Sequence, residues 1–301
     1  MLELANALSA LGGAVRLSNS GGLPLQAGGQ EIRGGHVRLP SGRSSQFASA
    51  LMLIAARLGQ GLDLELEPPV VSLPYVALTV AVLEQFGLEI EQVEELRWRI
   101  PPGDLRGREY RIDGDHSSAS YFLAAAAVLG GRVRVVGLDP HSKQPDARLG
   151  RILQQAGCSV STGSDWIEVA STGNVAPLNL EMGDAPDLVP TLAVLALFAD
   201  GPSTLRGIAH LRHKESDRLE VLARNLRDLG RDAHAGEDHL QVAPRSGALR
   251  GALIRTDSDH RMAMAFGLAG LRQPGIRIDD ADCVAKSNPR FWDEFERFEG
   301  R

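Results

Sequence analysis

Apolar residues in this chain gather into stretches of helix length, and several of these stretches end in the same way. A signature of Leu, two residues, an apolar residue and Gly occurs at Leu8 to Gly12, Leu83 to Gly87, Leu153 to Gly157 and Leu226 to Gly230, at a period of roughly 70–75 residues. Each copy closes an amphipathic pattern of helical period and puts glycine where a left-handed C-cap is wanted. Strand-like residues follow, such as Ala14-Val15-Arg16-Leu17 and Ser159-Val160-Ser161. The pattern predicts a helix stop followed by a strand, repeated along the chain.

A second signature has the same period and runs out of phase with the first. Polar capping residues stand at Ser44-Ser45-Gln46, Ser117-Ser118, Asp184 to Asp187 and Ser258-Asp259-His260, and Ser45, Ser118, Asp187 and His260 recur at nearly equal intervals. The helices predicted after them, 47–58, 119–129, 188–199 and 262–271, are rich in Ala and Leu on nearly every face. Helices apolar all round are buried ones. With short strands such as 133–136 and 62–66, each unit reads as one internal helix, one amphipathic helix and a small sheet. The predicted class is α/β, built of α+β repeats, with a period too long for a simple solenoid.

Composition narrows the function. A chain of 301 residues, 43% apolar and 23% charged, can bury a full core and has the length of about two domains. No apolar run reaches membrane-spanning length, and the N-terminus lacks a basic segment followed by an apolar one, so no membrane role is expected. Cys158 and Cys283 are far apart and form no closely spaced metal-ligand pair, which suits free thiols in a reducing cytoplasm. A formal charge of −6 argues against nucleic acid and leaves room for a locally basic pocket that takes a small anion.

The best candidate for such a pocket is the run Arg212-His213-Lys214-Glu215-Ser216-Asp217-Arg218. It holds five charged side chains between an apolar segment and an amphipathic helix. A plain helix start, with Ser216 as N-cap and Asp217 in the first turn, would account for part of it. The starts of the buried helices offer more, because free amides and the helix dipole attract anions. A cap needs one side chain, yet these starts also carry Gln46, His260 and Arg261. His210 and His213 have a spacing that a metal could use, but no Cys or carboxylate completes a tetrahedral set, and no metal or cofactor is expected. Gly42-Arg43-Ser44 lacks the spacing and lysine of a phosphate loop.

Ser44-Ser45-Gln46-Phe47, Ser72-Leu73-Pro74-Tyr75, Asp115 to Phe122, Pro186-Asp187, Lys214 to Arg218, Asp259 to Met264 and Lys286 occur in that order. Together they resemble the motifs of the 3-phosphoshikimate 1-carboxyvinyltransferase, or EPSP synthase, family, over nearly the whole chain. The resemblance implies an enolpyruvyl-transferase fold of two domains, with 1–111 the remaining part of the first and 112–301 the second. It implies transfer of the enolpyruvyl group of phosphoenolpyruvate to the 5-hydroxyl of shikimate 3-phosphate by addition and elimination, in the pathway to chorismate and the aromatic amino acids. Asp187 would accept the hydroxyl proton and Glu215 would protonate the methylene carbon, with Lys214 beside both. Ser44, Ser45, Gln46 and Ser72 would hold shikimate 3-phosphate, while Arg218, Arg261 and Lys286 would hold phosphoenolpyruvate. A cytoplasmic monomer is the implied state of the complete protein.

This sequence departs from the family pattern at His210, where Asn is usual, at Ala77, and at Ser287-Asn288. It also opens on what reads as the closing helix of a repeat, whereas Gly300 falls one such period after Gly230 and closes a last unit. Six units of about 73 residues would need roughly 440, so the expectation is a chain lacking N-terminal units, with weak or absent turnover alone. Two other readings stay open: a UDP-N-acetylglucosamine enolpyruvyl transferase, and a non-catalytic scaffold of the same fold.

Overall fold

The computed structural model describes residues 1–19, 22–29, 31–244 and 247–298. Gly300, expected to close a last repeat, lies outside them. The chain divides into two compact units, Met1–Arg111 and Ile112–Arg301.

The first unit opens with α1 (Leu2–Ala10) and a short antiparallel pair, β1 (Val15–Leu17) and β2 (Leu25–Ala27). It continues with β3 (Gly35–Pro40), α2 (Gln46–Ile54), β4 (Leu62–Glu67), α3 (Leu73–Gln85), β5 (Glu91–Glu94) and β6 (Arg97–Ile100). These last strands form a sheet of order β3-β4-β6-β5 in which only the β3/β4 pair is parallel. Parallel neighbours need a crossover, and α2 supplies it. Along β4, Leu62, Leu64 and Leu66 are buried while Asp63, Glu65 and Glu67 alternate toward the other face, as a sheet with one covered face requires.

The second unit repeats this order. It contains α4 (His116–Leu129), β7 (Gly131–Val136), α5 (Leu149–Gln155), β8 (Ser159–Thr162) and β9 (Trp166–Ser171). Then come β10 (Asn179–Glu181), α6 (Val189–Phe198), β11 (Ser203–Arg206), α7 (Arg218–Asp228), β12 (Asp232–Ala235) and β13 (Leu240–Ala243). The chain ends with β14 (Leu253–Ile254), α8 (His260–Gly270), β15 (Arg277–Ile278) and α9 (Phe291–Phe295). The sheet β10-β11-β13-β12 has the pairing of the complete sheet in the first unit: one parallel pair, then two antiparallel ones. The period read in the sequence is therefore a structural unit of strand, helix, strand, second helix and hairpin, but its first helix is not buried in every copy: α2, on which only α1 and α3 pack among the helices of its unit, buries Ala48, Leu51 and Met52 and leaves Leu53 exposed.

The helices α4, α6 and α8 pack against one another in the centre of this unit. Every residue from Val189 to Leu197 of α6 is buried, so no polar face exists to solvate it. Two polar groups in this core pair with each other, Ser120 and Thr191, at 2.8 Å between α4 and α6. The closing glycines behave as their positions predict: Gly12, Gly87, Gly157 and Gly230 have φ of +97°, +89°, +94° and +98°.

Helix starts differ from the sequence reading in detail. The helix predicted at 119–129 begins at His116, because the Asp115 carboxylate accepts the Ser117 amide at 2.9 Å and caps it. Ser117 and Ser118 thus fall inside the first turn. The helix predicted at 47–58 is α-helical only to Ile54 and finishes as a 3-10 turn over Ala55–Arg57. The cap of α7 is Asp217, which accepts the Glu220 amide at 3.1 Å, and not Ser216, whose hydroxyl is used elsewhere. No helix among the described residues is long and apolar enough to cross a membrane.

Candidate active site

The starts of α6, α7 and α8 carry a connected set of charges within the second unit. Pro186 begins a 3-10 turn that leads into α6 and presents Asp187. Asp217 caps α7, which makes Arg218 its first residue. Asp259 caps α8 by accepting the Arg261 amide at 3.0 Å, which places Arg261 in the first turn.

Arg218 is the hub. Its side chain is 1% exposed, and it donates to three carboxylates: from Nε to Asp259 Oδ2 (2.8 Å), from Nη1 to Asp187 Oδ1 (3.0 Å), and from Nη2 to Glu215 Oε2 (2.7 Å) and Asp259 Oδ1 (3.4 Å). A planar fork with several donors can do this where a lysine cannot. Arg261 Nη2 holds the other Asp187 oxygen at 2.8 Å, and Lys286 Nζ donates to Glu215 Oε1. The Tyr121 hydroxyl and the Asp146 carboxylate flank Arg261. Neither Tyr121 nor Asp146 carries a local sign of this placement in the sequence, and Asp259 reads there only as part of a helix start.

These contacts set protonation states. Burial alone would raise the pKa of Asp187, but Arg261, Arg218 and Lys214 outweigh it and hold the carboxyl below its ordinary value. Burial likewise opposes ionisation of Glu215, yet Lys286 and Arg218 pull it down to about 2. Lys214 is shifted down, mainly by burial and against the pull of Asp187 and Glu215. Burial pushes Tyr121 up to about 12. His210 is 2% exposed. Burial and then the charge of Lys214 take its pKa down to about 4, so the imidazole is neutral, and its Nε2 finds no hydrogen-bond partner among the described residues. His260 also titrates below its usual range, from burial first and Arg261 second.

The structure thus gathers six of the residues singled out by sequence: Asp187, Lys214, Glu215, Arg218, Arg261 and Lys286. The other four belong to the first unit, where β3 and β4 run parallel and end at neighbouring loops tied by the Val71 amide on the Ser41 carbonyl at 3.3 Å. Ser44, Ser45 and Gln46 lead from one loop into α2, with the Ser44 hydroxyl accepting the Gln46 amide at 3.2 Å. Ser72 leads from the other into α3 with a left-handed φ of +56°, and its buried hydroxyl oxygen has no partner among the described residues. An unpaired buried hydroxyl is costly unless something else satisfies it.

A family model described as EPSP synthase (3-phosphoshikimate 1-carboxyvinyltransferase) matches residues 1–295. The chain belongs to the EPSP synthase family. The curated 3-phosphoshikimate 1-carboxyvinyltransferase of Methanoculleus marisnigri is 42% identical over 291 residues, covering 96% of this chain and 68% of the relative. That of Syntrophobacter fumaroxidans is 41% identical over 298 residues, covering 98% and 70%. Among solved structures, EPSP synthase from Acinetobacter baumannii superposes with a TM-score of 0.77 at 27% identity, over 99% of this chain and 70% of that one. The enolpyruvyl transferase NikO from Streptomyces tendae shares the fold, with a TM-score of 0.76 at 19% identity over the same shares. The enolpyruvyl-transferase fold expected from the motifs is the fold observed, and these relatives favour the shikimate enzyme over the UDP-sugar one.

Proposed function

We propose that the cluster around Asp187 and Glu215 transfers the enolpyruvyl group of phosphoenolpyruvate to the 5-hydroxyl of shikimate 3-phosphate. The observation that carries this reading is the single guanidinium of Arg218 shared between the two carboxylates. Two ionised carboxylates beside several cations suit a reaction that moves two protons among multiply charged anions.

Asp187, ionised under its three cations, takes the proton as the 5-oxygen adds to C2 of phosphoenolpyruvate, and C3 becomes a methyl group by gaining a proton from Glu215. Glu215 then takes a proton back from that methyl as the C2–O bond to phosphate breaks, which restores the methylene, and the proton held by Asp187 passes to the departing phosphate. Glu215 is too acidic to donate while Lys286 and Arg218 bind it. Phosphate and carboxylate groups of the substrate would draw those cations away, and the freed carboxyl rises toward a range in which it can carry a proton. Lys214 shields the charge built up near Asp187. Ser44, Ser45, Gln46 and Ser72 offer neutral donors to the phosphate and ring hydroxyls of the acceptor; 1–111 belongs to the first domain of the transferase and 112–301 is the second. We place the protein in the cytoplasm, where its free thiols Cys158 and Cys283 stay reduced, and take it as a monomer, which sedimentation checks.

The test is incubation of the full chain with both substrates. Phosphate and 5-enolpyruvylshikimate 3-phosphate appearing in equal amounts, at a low rate for this chain alone, is the expected result. Phosphate release that does not depend on the acceptor, or that depends on UDP-N-acetylglucosamine instead, overturns the reading.

A further inference from the structure

The segment entering α8 differs from the other helix starts of the second unit, because Asp257 and Ser258 both have left-handed φ, +51° and +57°. The Asp259 amide donates back to the Thr256 carbonyl at 3.0 Å. Residues 256–259 therefore form a turn of the mirror-image kind, which needs positive φ at both central positions and is dominated by Gly, Asn and Asp. Serine at the second of them is an unfavourable choice for a mere connection.

Neighbours hold this backbone from two sides. Arg224 of α7 donates from Nη2 to Asp257 Oδ1 at 2.8 Å and to the Arg255 carbonyl at 3.2 Å. Asn225 brackets Arg255, donating to its carbonyl at 2.9 Å and accepting its amide at 3.0 Å. After β15, Asp279 Oδ1 accepts both the Thr256 amide and its hydroxyl, at 3.0 and 2.8 Å. The residue that leaves the turn is Asp259, fully buried. Its carboxylate accepts from Arg218, from the Ser216 hydroxyl at 3.1 Å and from the Arg261 amide.

We propose that the turn Thr256–Asp259, clamped by Arg224, Asn225 and Asp279, is a positioning device for the transferase site. Its left-handed backbone aims the Asp259 carboxylate, which fixes Arg218 against Asp187 and Glu215 and sets the first turn of α8 that carries Arg261. None of the clamping side chains touches a group given a chemical role, so these are positioning residues. The inference rests on the function proposed above, and strain that persists in a well-braced loop is characteristic of such sites.

The experiment compares the full chain with Arg224→Gln, Ser258→Gly and the double variant. Turnover and KM for phosphoenolpyruvate are measured beside the melting temperature. Exchange of the Arg218 Nε–H is followed in protein labelled with 15N-arginine, its resonance assigned by loss in Arg218→Lys. Arg224→Gln should lower kcat/KM by roughly tenfold or more, since small misplacements at a reacting centre are costly, and should speed the Nε–H exchange. Ser258→Gly alone should leave both near the parent values. The double variant should recover both, because glycine takes the left-handed geometry without a clamp. A lower melting temperature in Arg224→Gln with unchanged kcat/KM and unchanged exchange overturns the proposal, as does a double variant no better than Arg224→Gln. Absence of turnover in the parent chain counts against the proposed function only. The exchange measurement needs no substrate and still decides the role of the turn.

Discussion

Arg218 Nε lies 2.8 Å from Asp259 Oδ2, and the two side chains are 1% and 0% exposed. A pair this deeply buried is held by the mutual dependence of its charges: each has given up water and has the other in its place. Removing Asp259 takes from Arg218 its one fully buried carboxylate and the acceptor of its Nε–H, and leaves the guanidinium only the more exposed Asp187 and Glu215. Asp259→Ala should therefore destabilise the protein by about 3–5 kcal/mol, read as a lower urea midpoint with unchanged slope. A midpoint shift no larger than that of a surface substitution would remove the pair from the account of stability.

Asp187 and Glu215 meet on the same guanidinium but have different assigned tasks, and single substitutions should separate them from binding. Asp187→Ala and Glu215→Ala should each reduce turnover by roughly 10²–10⁴-fold, the usual worth of a positioned acid or base, with shikimate 3-phosphate affinity changed much less. Rapid-quench turnover and equilibrium titration measure the two quantities. Unchanged turnover in either variant removes that residue from proton transfer.

Lys286 and Arg218 keep the folded pKa of Glu215 at about 2, below its ordinary 4.5. A depressed carboxyl pKa gives stability that is present above the unfolded pKa and lost as pH falls through the folded one. Glu215 should accordingly contribute to acid unfolding between about pH 5 and pH 2. Lys286→Met should raise the Glu215 pKa and flatten the stability curve in that window. Carboxyl 13C shifts followed against pH test this directly, and a Glu215 titration unmoved by the substitution would contradict the assigned cause.

His210 should act in the same direction at higher pH. Its folded pKa of about 4 lies below the ordinary value near 6.5, so the unfolded chain binds a proton over a range where the folded one does not. Stability falls as pH drops through that interval. His210→Asn carries no such proton and should flatten the unfolding free energy between about pH 6.5 and pH 4, measured by urea denaturation at several pH values. Equal slopes for both proteins would mean that the imidazole is not held neutral by burial.

Much of this was legible in the sequence because its signals are local. A glycine ending each amphipathic helix and a polar residue opening each buried one fix the period, and the observed sheets keep it. The charged network was less legible, since its bonds join residues with no local sign of each other. Arg218 and Asp259 are 41 positions apart, and each reads well as part of its own helix start. Ser216 and Asp217 are both good caps. Only the packing shows that the Ser216 hydroxyl turns to Asp259 and leaves the cap to Asp217. Likewise, Ser258 reads as a cap-forming residue until its backbone, with that of Asp257, shows a left-handed turn that glycine would have announced.

Ser72 separates stability from binding by sign. Its hydroxyl oxygen is buried with no partner among the described residues, and an unsatisfied buried polar atom costs about 1–3 kcal/mol. Deleting the oxygen in Ser72→Ala removes that cost while leaving a residue with a Cβ at the same left-handed φ, so the melting temperature should hold or rise. If the hydroxyl exists to meet the phosphate of shikimate 3-phosphate, the same variant should bind that ligand about tenfold more weakly, near the worth of one charge-assisted hydrogen bond. Calorimetric titration beside thermal melting gives both numbers on one sample. Binding unchanged with stability raised would assign the hydroxyl no ligand, and a loss of stability would mean that it is paired in solution.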